Sequence, residues 1–328
     1  MTVGSGVGSM PGDDFAESTR LVLDQLPDLP HLPELPARGA TASMTGRGLA
    51  VLAGLGADLQ PAGWRLTDAP GIDHRRARSL LAQDLDTFEE LTQGYTGELK
   101  IQVAGPWTLA ATVEKPRGDK VLADHGARRE LAQALAEGLS GHIADVRRRV
   151  AGATTLLVQV DEPALPGVLA AKVPTASGFG RHRAVHPPEA SAALEWVLDA
   201  ITAAGGVPVV HCCAPDVPVE LLRGAGAAGL SVDLTTLAAG AYDGLAAALE
   251  AGERVLFGVV PALDPETVPS DAQATERVLR WLDMLGLDPA TVGAQLVVTP
   301  TCGLAGASSA WTRNALELAR KVASNLAD

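Results

Sequence analysis

Short apolar runs alternate with longer amphipathic stretches along the whole chain. The runs are almost continuously apolar and contain many valines and leucines, which is typical of strands in a parallel sheet that is covered on both faces. Seven such runs predict strands, at Val3–Val7, Leu99–Val103, Thr155–Val160, Val207–Val210, Leu230–Leu234, Val255–Val259 and Gln295–Val298.

The stretches between these runs carry apolar residues at helical spacing. They predict eight helices, at about Asp14–Gln25, His74–Leu91, Arg128–Ala151, Pro188–Ala203, Pro218–Gly224, Tyr242–Ala251, Ala272–Leu285 and Ser309–Ala327. A strand followed by a helix, repeated along the chain, indicates an α/β fold, either a (βα) barrel or a doubly wound sheet. In a barrel, the functional groups lie at the C-terminal ends of the strands.

One segment breaks this alternation. Leu26–Pro70 is rich in proline and glycine, and we interpret it as a long excursion after the first strand, near the active face. No flexible linker or run of charge divides the chain elsewhere. We therefore expect residues 1–328 to form a single catalytic domain, with residues 26–70 as its excursion.

Composition narrows the classes of function. The net charge is −13 and the chain has no basic cluster, so we expect no nucleic-acid partner. No apolar run reaches about 18 residues, and the N-terminus lacks the basic and apolar segments of a signal peptide, so we expect neither a membrane span nor secretion. The three cysteines are an odd number, and two of them are adjacent. A reducing, cytoplasmic location with metal or catalytic use of the thiols fits this pattern.

Candidate metal ligands follow three of the predicted strands. His211 and Cys213 are two residues apart, so both can face one side while Cys212 faces the other. Cys302 follows a distant strand, and Asp233 ends the strand after His211. Two thiolates, an imidazole and a carboxylate predict a zinc site, although buried cysteine is also a common small core residue. A zinc ion with these ligands is electron-rich. It is therefore better suited to hold a further thiolate as a nucleophile than to lower the pKa of a bound water for hydrolysis.

Three further motifs follow strands. Asp161, in D-E-P-A, can bind a substrate ammonium or cap the next helix. Gly8 and Ser9 form a small turn whose N–H groups suit a carboxylate. Trp107, in G-P-W-T, can stack on a flat cofactor or pack in the core.

With these motifs in this order, the chain resembles the C-terminal catalytic domain of cobalamin-independent methionine synthase. The resemblance implies a (βα)8 TIM barrel with its active site at the C-terminal ends of the strands. It implies a homocysteine S-methyltransferase that holds Zn²⁺ and forms methionine. His211, Cys213 and Cys302 are then zinc ligands, Asp233 replaces a glutamate ligand, Asp161 binds the amino group of homocysteine, and Gly8 and Ser9 receive its carboxylate.

The chain also departs from the family. We expect no room for the extra N-terminal barrel that helps full-length members bind polyglutamate folate. Gly46 stands where the family has an amine-binding glutamate, and Glu34 is a candidate replacement. Leu263 stands where the family has a histidine that can protonate departing folate. The methyl donor is therefore either 5-methyltetrahydrofolate or a methylated corrinoid such as methylcobalamin, with or without an accessory protein.

Two other functions stay open at this stage. One is a decarboxylase of the uroporphyrinogen type, which shares a G-P-x-T turn but needs positive groups for its substrate carboxylates. The other is a non-catalytic barrel that binds zinc or thiols. The acidic net charge disfavours the first, and the matches in the amino-acid pocket disfavour the second.

Overall fold

The computed structural model describes residues 1–327. Its strands, in chain order, are β1 (Val3–Gly4), β2 (Gly56–Gln60), β3 (Gly63–Thr67), β4 (Gly97–Ala104), β5 (Ala153–Asp161), β6 (Val207–Cys212), β7 (Gly229–Asp233), β8 (Arg254–Val260) and β9 (Leu296–Pro300). Seven of them form one sheet in the order β1-β9-β8-β7-β6-β5-β4, with all neighbours parallel. The sheet curls into a half-barrel, which is compatible with a TIM-like barrel.

The seven predicted strands are the seven strands of this sheet, so the α/β alternation is confirmed. The first is shorter than predicted, because only Val3 and Gly4 pair with β9 as a regular strand. The strands β2 and β3 form a separate antiparallel hairpin that the apolar pattern did not predict.

The helices pack outside the sheet. In chain order they are α1 (Phe15–Gln25), α2 (Met44–Val51), α3 (Ile72–Leu91), α4 (Pro106–Thr112), α5 (His125–Arg149), α6 (Leu165–Leu169), α7 (Pro187–Ala203), α8 (Val219–Gly224), α9 (Tyr242–Glu250), α10 (Asp271–Met284), α11 (Pro289–Val292) and α12 (Ser309–Ala327). All eight predicted helices are present. The four additional ones, α2, α4, α6 and α11, have at most eight residues, too few to show a clear helical period.

The predicted excursion contains a segment that contacts both edges of the sheet. We call residues 30–35 the linking segment. It forms parallel bridges to β4, at His31 and Lys100, and to the chain just after β1, at Ser9 and Glu34. The Leu32 N–H donates to the Lys100 carbonyl at 2.9 Å, and the Glu34 N–H donates to the Gly8 carbonyl at 3.1 Å. Prolines at 30 and 33 cannot donate such bonds, which explains why the segment does not have the sequence of a regular strand.

The two faces of the sheet are packed differently. The outer face packs against the helices in one extended apolar core. The inner face has its own small cluster, formed by Leu29, Leu157, Val209, Leu256 and Val297. Along β5, Leu157, Gln159 and Asp161 share the inner face, because alternate residues of a strand point the same way. The inner face therefore changes from apolar to polar toward the C-terminal ends of the strands.

A buried ion network ties the linking segment to the helices. Asp84 on α3 accepts two hydrogen bonds from Arg38, at 2.8 and 2.6 Å, and one from Arg47 on α2, at 2.8 Å. The Arg47 Nε lies 3.3 Å from Glu34 Oε1. Asp84, Arg47 and Glu34 are all buried, so each charge depends on its partners for solvation.

Replacing Asp84 with alanine should therefore destabilise the fold. Loss of the carboxylate leaves two arginines short of a partner, and breaking a buried ion pair costs about 3–5 kcal/mol. The free energy of unfolding from denaturant titration measures the loss. Asp86→Ala on the same helix is the matched control, because Asp86 is 67% exposed and pairs with Arg149 at the surface, where such pairs contribute about 0–1 kcal/mol. Equal losses for the two variants would contradict a structural role for the network.

Candidate metal and substrate site

A pocket of about 150 Å³ opens at the C-terminal ends of the strands. It brings together most of the residues singled out in the sequence, from both halves of the chain. Its lining is Val7, Gly8, Ser9, Glu34, Met44, Asp161, Pro163, His211, Cys213, Cys302 and Gly303. Asp233 and Trp107 do not line it.

His211, Cys213 and Cys302 converge on one side of this pocket. Their ligand atoms all lie within 4.8 Å of one another. The two sulfurs are 3.1 Å apart, and the Cys302 sulfur is 3.9 Å from His211 Nε2. A tetrahedral zinc with Zn–S bonds of about 2.3 Å separates its ligand atoms by roughly 3.5–3.8 Å. The sulfur–sulfur distance is shorter than this range and the sulfur–nitrogen distance slightly longer, so the three side chains fit a zinc ion by donor type and lie near its ligand spacing.

Neighbouring residues orient these ligands. His211 Nδ1 lies 2.9 Å from the Ser231 hydroxyl on β7, which leaves Nε2 directed at the sulfurs; such a partner commonly fixes a metal-binding histidine. Cys212 faces the opposite way and is fully buried in the outer core, and burial raises its pKa to about 12. The Cys213 thiol and the His211 ring hold the pKa of Cys302 below its usual value. The same contact with Cys302, together with burial, raises the pKa of Cys213, so Cys302 is the more acidic of the two thiols.

Asp233 is not brought into this group. Its Oδ1 accepts hydrogen bonds from the Thr235 N–H and hydroxyl, at 2.8 and 2.5 Å, and its Oδ2 accepts one from the Thr236 hydroxyl at 3.0 Å. An aspartate at a strand end readily binds the backbone two residues on in this way. Asp233 therefore caps the turn after β7, and it does not belong to the group that His211, Cys213 and Cys302 form.

Two buried carboxylates, Asp161 and Glu34, line the same pocket as the candidate metal ligands. Asp161 ends β5 and Glu34 belongs to the linking segment, and each is at most 7% exposed. Burial, reinforced by the nearby Glu34 charge, raises the pKa of Asp161 to about 7, while His211 and Lys100 oppose this shift. Two carboxylates of this kind form an environment that favours a ligand cation such as an ammonium.

The carboxylate adjacent to Asp161 has a structural role. Glu162 points to the outer face and accepts hydrogen bonds from the Trp107 and Thr108 N–H groups at the start of α4, at 2.9 and 2.8 Å. A Cβ on Gly105 would lie 2.3 Å from Glu162 Oε1, so this contact requires glycine. Of the two alternatives for Trp107, the structure has the core position, because its ring is buried and its Nε1 donates to the Ala190 carbonyl at 3.0 Å.

The turn at Gly8 and Ser9 meets the turn after Cys302. The Leu304 N–H donates to the Ser9 carbonyl at 2.7 Å. A Cβ on Gly303 would lie 2.0 Å from the Ser9 hydroxyl oxygen, so glycine permits this approach.

In the excursion, Met44 lines the pocket, whereas a Cβ on Gly46 would point at the Ala40 carbonyl, 2.2 Å away. Gly46 is therefore not a position from which a glutamate could reach the substrate.

Sequence analysis missed the polar residues beneath the pocket. Lys100, Gln102 and Gln159 are buried on the inner face, and burial lowers the pKa of Lys100 to about 8. Lys100 and Gln102 interrupt an otherwise apolar strand at alternate positions. That alternation was the available signal, because it places both side chains on one face of β4.

Zinc content should depend on Cys213 and Cys302 but not on Cys212. Cys213→Ala and Cys302→Ala each remove one of three donors, so each purified variant should hold much less than one zinc per chain by elemental analysis. Cys212→Ala is the matched control and should retain zinc, because its side chain faces the outer core. Full zinc content in either of the first two variants would contradict the proposed ligand set.

The same measurement addresses Asp233. Asp233→Asn should keep its zinc, because the carboxylate is engaged with Thr235 and Thr236. Loss of zinc from this variant would show that the carboxylate leaves the turn to bind the metal.

Comparison with known proteins identifies a family and a shared fold. The family model described as cobalamin-independent synthase, catalytic domain, matches residues 99–325. A solved B12-independent methionine synthase from Shewanella sp. W3-18-1, in complex with selenomethionine, is 13% identical, covers 99% of this chain and 98% of its own, and has a TM-score of 0.65. This likeness shows a shared fold.

Other solved structures are more distant. An engineered protein is 13% identical over 98% of this chain and 70% of its own, with a TM-score of 0.47. A 2,3-dimethylmalate lyase is 11% identical over 92% and 77%, with a TM-score of 0.40. No curated protein matches the chain. Because the family model covers more than half of the residues, the chain belongs to the cobalamin-independent synthase family and carries its catalytic domain.

Proposed function

We propose that the protein is a zinc-dependent methyltransferase that methylates the thiol of homocysteine to give methionine. The observation that carries this proposal is the pocket itself. Three soft metal ligands and two buried carboxylates face one space of about 150 Å³. Homocysteine has a thiol and an ammonium at its two ends, and each has a matching partner there. Membership of the family supports the same reaction class.

Three protein ligands suit a catalytic metal. Catalytic zinc sites commonly use three protein ligands and leave one position for substrate. When bound, zinc would hold the substrate sulfur as a thiolate, the nucleophilic form of a thiol. His211, Cys213 and Cys302 would supply the three ligands, and Ser231 would keep the His211 ring in place.

The rest of the pocket would bind the amino-acid part of the substrate. Asp161 and Glu34 would receive the ammonium, since both are buried carboxylates on the pocket wall. Backbone N–H groups at Gly8 and Ser9 would receive the substrate carboxylate, as small turns commonly bind anions. Held at both groups, the substrate would direct its sulfur toward the metal ligands.

The donor is either 5-methyltetrahydrofolate or a methylated corrinoid. In both cases a bond forms between the methyl carbon and the substrate sulfur, and the bond between methyl and donor breaks. Departing folate needs a proton on nitrogen, whereas departing cobalt needs none. Leu263 is 60% exposed and offers no proton, which favours the corrinoid, delivered free or by an accessory protein.

The proposal includes a complete (βα)8 barrel. The linking segment would act as the eighth strand, since it bonds to β4 on one side and to the chain after β1 on the other. Closure by the linking segment would also place Glu34 on the wall of the pocket that Asp161 lines.

The other candidate functions have less support. A decarboxylase of the uroporphyrinogen type must hold several substrate carboxylates, but the described pocket lining contains Glu34 and Asp161 and neither lysine nor arginine.

Within residues 1–327, no helix combines the length and apolar character that crossing a membrane requires.

Zinc-loaded protein should form methionine from homocysteine with one of the two donors. The test offers methylcobalamin and 5-methyltetrahydrofolate in parallel and measures methionine by mass spectrometry. Cys302→Ala should abolish turnover, because it removes a metal ligand, and Cys212→Ala should retain it. Homocysteine binding without methionine from either donor would instead support a non-catalytic thiol-binding protein.

A further inference from the structure

A fully buried lysine lies beneath the pocket, on the inner face of β4. Lys100 Nζ donates to the Val7 carbonyl at 2.7 Å, to Gln159 Oε1 at 2.9 Å and to Gln102 Oε1 at 3.4 Å. These three contacts use the three donors of the ammonium group. No proposed step of the reaction uses this lysine, although burying its charge is costly.

The lysine determines how the two glutamines are oriented. A side-chain amide presents oxygen at one end and NH₂ at the other, and lysine can only donate. Lys100 therefore faces the oxygen of each amide, so each NH₂ group points away from it. Gln159 Nε2 donates to Asp161 Oδ1 at 2.7 Å and to the Val7 carbonyl at 2.9 Å. Gln102 Nε2 donates to the Leu32 carbonyl at 2.7 Å.

These contacts lead to both carboxylates of the pocket. Through Gln159, one oxygen of Asp161 is held by a hydrogen bond. Through Gln102, Lys100 holds the linking segment two residues before Glu34. We propose that Lys100 is a positioning residue that orients Asp161 and Glu34 toward the ammonium group of an amino-acid substrate. This inference rests on the proposed function, because it assumes that a substrate ammonium binds these carboxylates.

Electrostatics support the same assignment. Asp161 and Glu34 are buried like charges that repel each other, and a nearby cation offsets this repulsion. Burial lowers the pKa of Lys100 to about 8, while Asp161 and Glu34 oppose that shift. The amine is therefore mostly protonated at neutral pH, as the donor role requires.

The test compares two thiols that differ only in the amino group, L-homocysteine and 4-mercaptobutanoate. Calorimetric titration gives the Kd of each for the wild-type protein and for Lys100→Met and Gln159→Leu. Both substitutions break the link to Asp161, so each should weaken homocysteine binding roughly tenfold or more, the loss typical of a hydrogen bond to a charged group. Binding of 4-mercaptobutanoate should be unchanged, because it has no ammonium.

Glu98→Gln is the matched control. Glu98 lies two residues before Lys100 on the same face of β4 and pairs with Arg254, away from the pocket. This variant should bind both thiols as the wild type does. If Lys100→Met does not fold, Gln159→Leu still tests the inference, because unchanged homocysteine binding in that variant would show that the link from Lys100 to Asp161 has no effect.

Two results would overturn the inference. One is equal weakening of both thiols, which indicates general damage to the barrel. The other is unchanged homocysteine binding in a folded variant. Failure of the proposed function has a different signature, because the wild-type protein would then form no methionine or bind no homocysteine at all.

Discussion

The site depends on the register of three parallel strands. Asp161 on β5 is paired with His211 on β6, and His211 is paired with Ser231 on β7. Paired residues in a parallel sheet point to the same face, so one row supplies the Asp161 carboxylate of the pocket, the candidate metal ligand His211 and the serine that orients the His211 ring. A slip of one residue would turn each of these side chains to the outer face. An apolar cluster lies below this row and includes Leu157 of β5 and Val209 of β6. A slip of either strand would also turn these side chains out of the cluster, and the loss of apolar burial makes it costly.

A second constraint is the balance of buried charge. The pocket holds Asp161 and Glu34 in an interior that penalises isolated ions. Each has a cation nearby, since Arg47 pairs with Glu34 and Lys100 lies beneath Asp161. Asp84 in turn neutralises Arg47 and Arg38. The polar network thus extends from the pocket to α3, and it anchors the linking segment through Glu34.

Much of the fold could be predicted from the sequence, because the seven strands and eight long helices have clear apolar periods. The convergence of His211, Cys213 and Cys302 followed from strand ends and alternation. The linking segment could not be predicted, since Pro30 and Pro33 remove the donors that mark a strand.

Predictions for individual side chains were less successful where a local contact competes with the pocket. Asp233 is held by the threonines that follow it, and Trp107, a residue of α4, is buried in the apolar core. Lys100 was missed because two of its partners, Val7 and Gln159, come from distant parts of the chain. Sequence spacing alone does not reveal such contacts.

The central claim is that three side chains bind a metal with a position left for the substrate sulfur. X-ray absorption at the zinc edge tests it most directly, because the method counts sulfur and nitrogen neighbours. With His211, Cys213 and Cys302 as ligands, zinc-loaded protein should show two sulfur neighbours, and homocysteine should add a third. A sulfur count that does not change when homocysteine is added, or a zinc ion surrounded by oxygen and nitrogen alone, would contradict the account.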